Sequence, residues 1–233
     1  MKQRLKRLDQ WIANCGYASR SEVKKMIKQE RVLVDGKPSK DPSLRVEPER
    51  ITVDNQSLDH PWGLFFMLNK PVGYSCSKSE KESPIVFELL PLLWNRRHPS
   101  INCIGRLDRD TSGLLLFTDI TFLIHKLSSP KTGLRKVYEV RTDLPVSEEV
   151  VDIFSSGTLM LDGESKPCSP AKLEIIDKNF VKITIFEGRF HQVRRMFEKV
   201  GLKVISLHRT DFGDWSLGDL KEGEIKILEC PVF

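Results

Sequence analysis

The chain has 233 residues, 39% hydrophobic and 30% charged, a composition for one large or two smaller globular domains rather than for a fibrous or disordered chain. No apolar run approaches the ~20 residues of a membrane-spanning helix and no secretory-type apolar stretch follows the basic start; five cysteines (Cys15, Cys76, Cys103, Cys168, Cys230) and five histidines at scattered spacings exclude a disulfide framework and a zinc cluster, so a cytoplasmic protein without membrane segment, metal or cofactor is expected. The net charge of +5 is uneven: residues 1–31 hold nine Lys or Arg against three Asp or Glu, a local +6 that leaves −1 for the rest, which is either the footprint of a polyanionic partner or a solvated surface.

In chain order, Leu5, Leu8 and Ile12 recur at helical spacing and predict a first helix, broken at Asn14-Cys15-Gly16. Ser19-Arg20-Ser21-Glu22 is a capping box, in which the Ser19 hydroxyl accepts from the Glu22 amide and Glu22 reaches back. Val23, Met26 and Ile27 give this second helix its apolar face; Arg20, Lys24, Lys25 and Lys28 lie opposite, with Arg31 just beyond. Val32-Leu33-Val34 then enters an Asp35-Gly36 turn, and Ile51-Thr52-Val53 is a further strand. Two helices on a small hairpin predict a basic unit over residues 1–58.

This stretch resembles an S4 RNA-binding domain, from Arg4-Leu5 through Val53, with Ala18-Ser19-Arg20 opening the second helix and Val32-Leu33-Val34-Asp35-Gly36 following it. The resemblance implies that the second helix and its adjacent loop grip structured RNA, with Arg4, Ser19, Arg20, Lys24, Lys25, Lys28 and Arg31 as the contact set.

Residues 55–62 read as a polar linker. From residue 63 to 233 short β-like runs alternate with helical stretches: strands at Leu64–Leu68, Leu114–Phe117, Tyr138–Arg141, Lys172–Ile176, Val181–Phe186, Val204–Leu207 and Ile225–Leu228, and helices at Ile85–Leu90, Thr121–Leu127, Ser147–Ser155 and Gln192–Val200. The expected class is α+β, and this second domain is large enough for a core of its own.

The densest chemistry lies in Gly105-Arg106-Leu107-Asp108-Arg109-Asp110-Thr111-Ser112-Gly113-Leu114-Leu115-Leu116, a charged loop running into an apolar strand that would hold it rigidly. From the residues alone it is equally a salt-bridged turn, with Arg106 on Asp110, and a site for a working carboxylate.

The loop resembles the signature of the pseudouridine synthases, in particular those that join an S4 domain to the catalytic domain. Phe66-Met67-Leu68-Asn69-Lys70-Pro71, Lys136-Val137-Tyr138-Glu139-Val140 and Glu187-Gly188-Arg189-Phe190-His191-Gln192-Val193-Arg194-Arg195-Met196-Phe197 resemble the family's other motifs and occur in its order. The resemblance implies a catalytic domain with a mixed, mainly antiparallel sheet. It implies a reaction that opens the N1–C1′ bond of a uridine, turns the uracil and rejoins it through C5, without cofactor. Asp108 is then the nucleophile, Tyr138 stacks on the base, and Arg194 pairs with Asp108. Arg106 fills the space left by the flipped base, and Arg195, His191 and Arg209 face RNA. His191 has no carboxylate partner in sequence, and Lys70 is read equally as solvated or RNA-contacting and as catalytic.

Two departures stand out: Asp119-Ile120-Thr121 follows the signature strand where the family has an Asp-Asp-Gly type of sequence, and Val137 occupies a common threonine position. The histidine pair His191 and His208, with Leu207-His208-Arg209, most resembles the branch acting on small-subunit ribosomal RNA, whose target is conventionally uridine 516 of 16S RNA. The expected partner is therefore ribosomal RNA, met by a monomer. Alternatives are a 23S RNA target, a non-catalytic S4-type binding protein, and a hydrolase using Asp108 and Asp110; in the last, both carboxylates would come from one loop, which does not suit the opposite faces of a substrate.

Overall fold

The computed structural model describes residues 5–129 and 132–231; Arg4 lies outside them. Strand β1 (Lys6–Arg7) leads into α1 (Leu8–Asn14), so the predicted first helix begins at Leu8, and Leu5 is exposed before it. Helix α2 (Arg20–Lys28) starts at the expected capping box: the Ser19 amide donates to Glu22 Oε2 at 2.8 Å and the Glu22 amide to Ser19 Oγ at 3.4 Å.

β2 (Val32–Val34) and β3 (Lys37–Pro38) form a hairpin whose Asp35 and Gly36 both have positive φ, 51° and 72°, the geometry of a two-residue type I′ turn. β4 (Arg45–Val46) pairs with β1, and β5 (Ile51–Val53) pairs with β2. β6 (Gln56–Ser57) returns on β5 through a second such turn at Asp54-Asn55, φ 50° and 65°. Leu8, Trp11, Ile12, Val23, Val32, Ile51 and Leu58 close one small core.

The stretch read as linker is therefore not a free tether. Its first half completes the small sheet, and its second half is clamped by the buried Arg97. The Arg97 guanidinium donates to the carbonyls of Asp59 (2.9 Å) and His60 (2.8 Å) and pairs with Asp119 at 2.7 Å. Asp119 also accepts from the Leu64 amide at 2.7 Å. At the first sequence departure Asp119 is a buried clamp and the following helix begins at Thr121; the structure does not explain the change at Ile120-Thr121.

The larger unit begins with β7 (Phe65–Lys70), followed by α3 (Leu92–Asn95), β8 (Asn102–Ile104) and β9 (Ser112–Thr118). Then come α4 (Thr121–Ser128), β10 (Lys136–Thr142), α5 (Glu148–Ser155), β11 (Lys172–Asp177), β12 (Phe180–Ile185), α6 (Gln192–Lys199), β13 (Val204–Phe212), β14 (Trp215–Ser216) and β15 (Ile225–Ile227). The helix expected at Ile85–Leu90 is a 3₁₀ turn, Val86–Leu89.

The sheet order is β11-β12-β10-β13-β9-β7-β15, with β14 on β13 and β8 on β9; β13–β9 is the parallel pair among antiparallel ones. β7 and β9 are buried on both faces. Phe66, Leu68, Leu115 and Phe117 point to the core under α5 and α6, while Phe65, Met67, Leu114 and Leu116 point to the core under α4. No helix among the described residues is long and apolar enough to cross a membrane.

Candidate functional site

The loop 105–111 connects β8 to β9 at the place where the sheet forks. β9 pairs with β13 at Ser112 and Gly113, and with β8 at Leu116–Thr118. The loop closes with a turn, Thr111 amide to Asp108 carbonyl, 3.1 Å.

Beneath it Lys70 is fully buried rather than solvated, which corrects the reading of that residue. Its ammonium donates to the carbonyls of Thr111 (2.7 Å), Pro71 (2.9 Å) and Arg109 (3.4 Å), and burial pushes its pKa down. Arg109 adds a bond from Nε to the Gly73 carbonyl at 2.9 Å. A Lys70→Met variant leaves the Thr111 and Pro71 carbonyls without this donor, while the Arg109 carbonyl keeps the Gly73 amide at 2.7 Å; at about 1–3 kcal/mol for each buried orphan, we expect a loss of about 2 kcal/mol or more in denaturant unfolding, and faster proteolysis within residues 105–111.

Held this way, Asp108 keeps about a third of its side chain exposed. It lies at a cavity of about 210 Å³, several times the ~30 Å³ that one water occupies in the liquid. Tyr138, from β10, lines the same cavity and is 8% exposed.

The expected Asp108–Arg194 pair is not formed. His191 Nε2 stands 3.3 Å from Asp108 Oδ1, and Arg194 pairs instead with Asp110 at 2.8 Å and with the Asp110 carbonyl at 3.1 Å. The reason is geometric: His191, the left-handed residue before α6 (φ 47°), and Arg194 in the first turn of α6 meet two carboxylates two residues apart in the loop. Asp110 is thereby a brace, held by Arg194 and not by Arg106.

Arg106 is exposed and lines both the main cavity and a second one on the far side of Asp108. Arg195, expected toward RNA, is engaged within the protein: it bonds Glu164 (3.0 Å) and the carbonyls of Asp162 (2.5 Å) and Phe190 (3.1 Å), anchoring the start of α6. Arg209 is not at the surface. It is 2% exposed, donates from Nε to the Leu114 carbonyl at 2.8 Å, and lines the cavity from below.

Sequence reading missed Phe190, 68% exposed and stacked on His191 at 3.8 Å. It also missed Lys136, whose ammonium burial and the neighbouring Arg209 push down to about 8. Both were visible as residues inside recognised motifs, but nothing in their spacing marked them.

On the N-terminal unit, Arg20 is tied to the buried Asp9 and Arg31 to Asp54, while Ser19 serves the capping box. Lys24, Lys25 and Lys28 are exposed and form no ion pair among the described residues. No group of His, Cys, Asp and Glu among the described residues could hold a metal.

The RNA pseudouridylate synthase family model matches residues 64–199, and the S4 domain model matches residues 6–57. The chain is 40% identical over 228 residues to the ribosomal small subunit pseudouridine synthase A of Haemophilus influenzae, covering 95% of each chain. It is 38% identical to the Escherichia coli (strain K12) protein of the same name, covering 95% of this chain and 96% of that one. It is 34% identical to an uncharacterized RNA pseudouridine synthase of Bacillus subtilis, with 97% and 99% covered. A crystal structure of a pseudouridylate synthase superposes with a TM-score of 0.66 at 39% identity, covering 96% of both chains. An S4 domain followed by a mixed, mainly antiparallel sheet agrees with these matches: the chain belongs to the RNA pseudouridylate synthase family and is a pseudouridine synthase.

Proposed function

We propose that the enzyme isomerises one uridine of small-subunit ribosomal RNA, the one conventionally numbered 516 in 16S RNA, with Asp108 as nucleophile. The observation that carries this reading is a carboxylate about a third exposed, on a loop braced by Lys70, Arg109 and Arg194, opening onto the cavity that Tyr138 lines. A base extruded from its stack, at a cost of a few kcal/mol, enters beside Tyr138. Arg106, exposed between the two cavities, occupies the gap left in the RNA. His191 yields Asp108 at little cost, because an exposed pair contributes less than ~1 kcal/mol. Phe190 and His191 then offer a stacking surface at the mouth. All these groups come from one chain, which supports a monomer as the working form. The fixing of Asp110 by Arg194 argues against a two-carboxylate hydrolase.

Mapping pseudouridine in 16S and 23S RNA from cells with and without the protein tests the target. Loss at a 23S position alone would refute the small-subunit assignment, and no loss anywhere would favour a non-catalytic binder.

The N-terminal helix supplies the electrostatic grip through Lys24, Lys25 and Lys28. Three phosphate contacts give a log–log salt dependence near −2.7 on duplex-like RNA. We expect the triple change Lys24→Ala, Lys25→Ala, Lys28→Ala to weaken RNA binding in a salt titration and to flatten its slope by about that amount, with turnover on saturating RNA kept. An unchanged slope would show that these lysines do not touch the backbone.

A further inference from the structure

Five buried side-chain polar atoms lack a hydrogen-bond partner among the described residues, and two of them, Thr111 Oγ1 and Arg209 Nη2, belong to residues that line the cavity shared by Asp108 and Tyr138. Buried orphans of this kind are rare and costly, so two on one cavity point to a ligand. Thr111 is 1% exposed and Arg209 2%.

The position of Arg209 is built rather than incidental. Between β10 and β13 the register steps from Val137 opposite Asp211 to Tyr138 opposite Arg209, leaving Thr210 as an extra residue. Such a bulge re-aims the side chains beside it. Arg209 thus lies next to Tyr138, its Nε fixed on Leu114 and its guanidinium 5.0 Å from the Phe212 ring centre. The nearby carboxylate of Glu187 is already engaged by the Ser169 amide (3.0 Å), Gln192 (2.5 Å) and Arg189 (3.2 Å). Around Tyr138 the cavity is therefore backed by Arg209, with Lys136 beside it, and by Thr111.

An RNA phosphate cannot reach this floor, because the chain runs on from it in both directions; the free end of a flipped nucleotide is its base. Uracil offers carbonyl oxygens O2 and O4 flanking an N3–H. We infer that Arg209 Nη2 donates to a uracil carbonyl while Thr111 Oγ1 accepts from N3–H, so that the base is oriented and its charge is held as the glycosidic bond opens. As N1–C1′ breaks, its electron pair passes into the ring and spreads onto O2 and O4, while C1′ is taken up by the Asp108 carboxylate. After the ring turns, a C5 electron pair forms the new bond to C1′ and displaces the carboxylate. C5 then loses its proton and N1 gains one, so the step is a net isomerisation. A preorganised donor facing developing charge is a large catalytic contribution, about 10²–10³-fold for one group.

The inference rests on the proposed reaction, and the test separates the two. On small-subunit RNA labelled with tritium at C5, wild type should release tritium; if it releases none, the reaction itself is refuted. Thr111→Val removes an unpaired buried hydroxyl, so its melting temperature should hold or rise, while kcat falls about tenfold or more and RNA affinity stays. Arg209→Gln should lower kcat about 10²–10³-fold at unchanged KM, with Arg209→Lys, which keeps the charge, partly restoring it. Active wild type with Thr111→Val and Arg209→Gln both within twofold of its kcat would overturn the inference. So would variants that lose RNA affinity with kcat intact.

Discussion

An Asp108→Asn enzyme is expected to bind ribosomal RNA with an affinity within about twofold of wild type and to release no measurable tritium from C5-labelled RNA, a loss of about 10⁴-fold or more, as for other essential nucleophiles. The two halves of this expectation have separate structural grounds. On the proposed reading affinity comes from the exposed lysines of α2 and the mouth of the cavity, none of which touches Asp108 directly apart from His191. Turnover needs an ionised oxygen free to attack, and the amide has none.

The substitution is also mild for the fold. Asp108 is a third exposed, its shape is kept, and its one side-chain contact is a pair worth less than ~1 kcal/mol. The loop is held instead by the Lys70 ammonium, by Arg109 on the Gly73 carbonyl, and by Arg194 on Asp110. Melting temperature should therefore not move by more than a degree or two, so inactivity cannot be ascribed to unfolding. Full activity in this variant would end the nucleophile assignment.

What the chain made readable and what it hid follow from the range of the interactions. The capping box at Ser19, the Asp35-Gly36 hairpin and the seven main strands depend on residues near in sequence, and all are present. Asp54-Asn55 made the same kind of turn as Asp35-Gly36 but was passed over, because the strand after it, Gln56–Ser57, is two exposed polar residues with no apolar signal. β8 was missed for a similar reason: of Asn102, Cys103 and Ile104 only the last is a β-branched apolar residue.

The site residues were legible as a set and not as pairs. Motif resemblance brought Asp108, Tyr138, His191 and Arg194 together, yet which cation meets which carboxylate depends on the phase of α6 against the loop, a tertiary quantity. Lys70 and Arg209 are the sharper lesson. Charged residues are normally placed at the surface by default, whereas here one is buried under three carbonyls and the other under a cavity. Neither burial can be seen without the strands that cover it.

Gly113→Ala is expected to be the most damaging single change to the fold of the catalytic unit. Gly113 has φ +108°, in the region that side chains rarely adopt, and a Cβ there would sit 2.2 Å from the Arg209 carbonyl oxygen and 2.6 Å from its amide nitrogen. Those atoms are backbone of the parallel partner β13, so no rotamer change relieves the clash; the two strands must part. Strained backbone costs about 1–3 kcal/mol and overpacking about as much again, for a loss of about 2–6 kcal/mol in urea unfolding. The parting would also break the Ser112 hydroxyl contact to His208 Nδ1, now 2.8 Å, and shift the bulge that aims Arg209. Activity should therefore fall by more than the loss of folded protein explains: at a temperature where the variant is still folded by circular dichroism, its kcat should remain at least tenfold below wild type. If kcat per folded molecule is unchanged, the close approach of β9 and β13 serves stability alone and does not position the cavity floor.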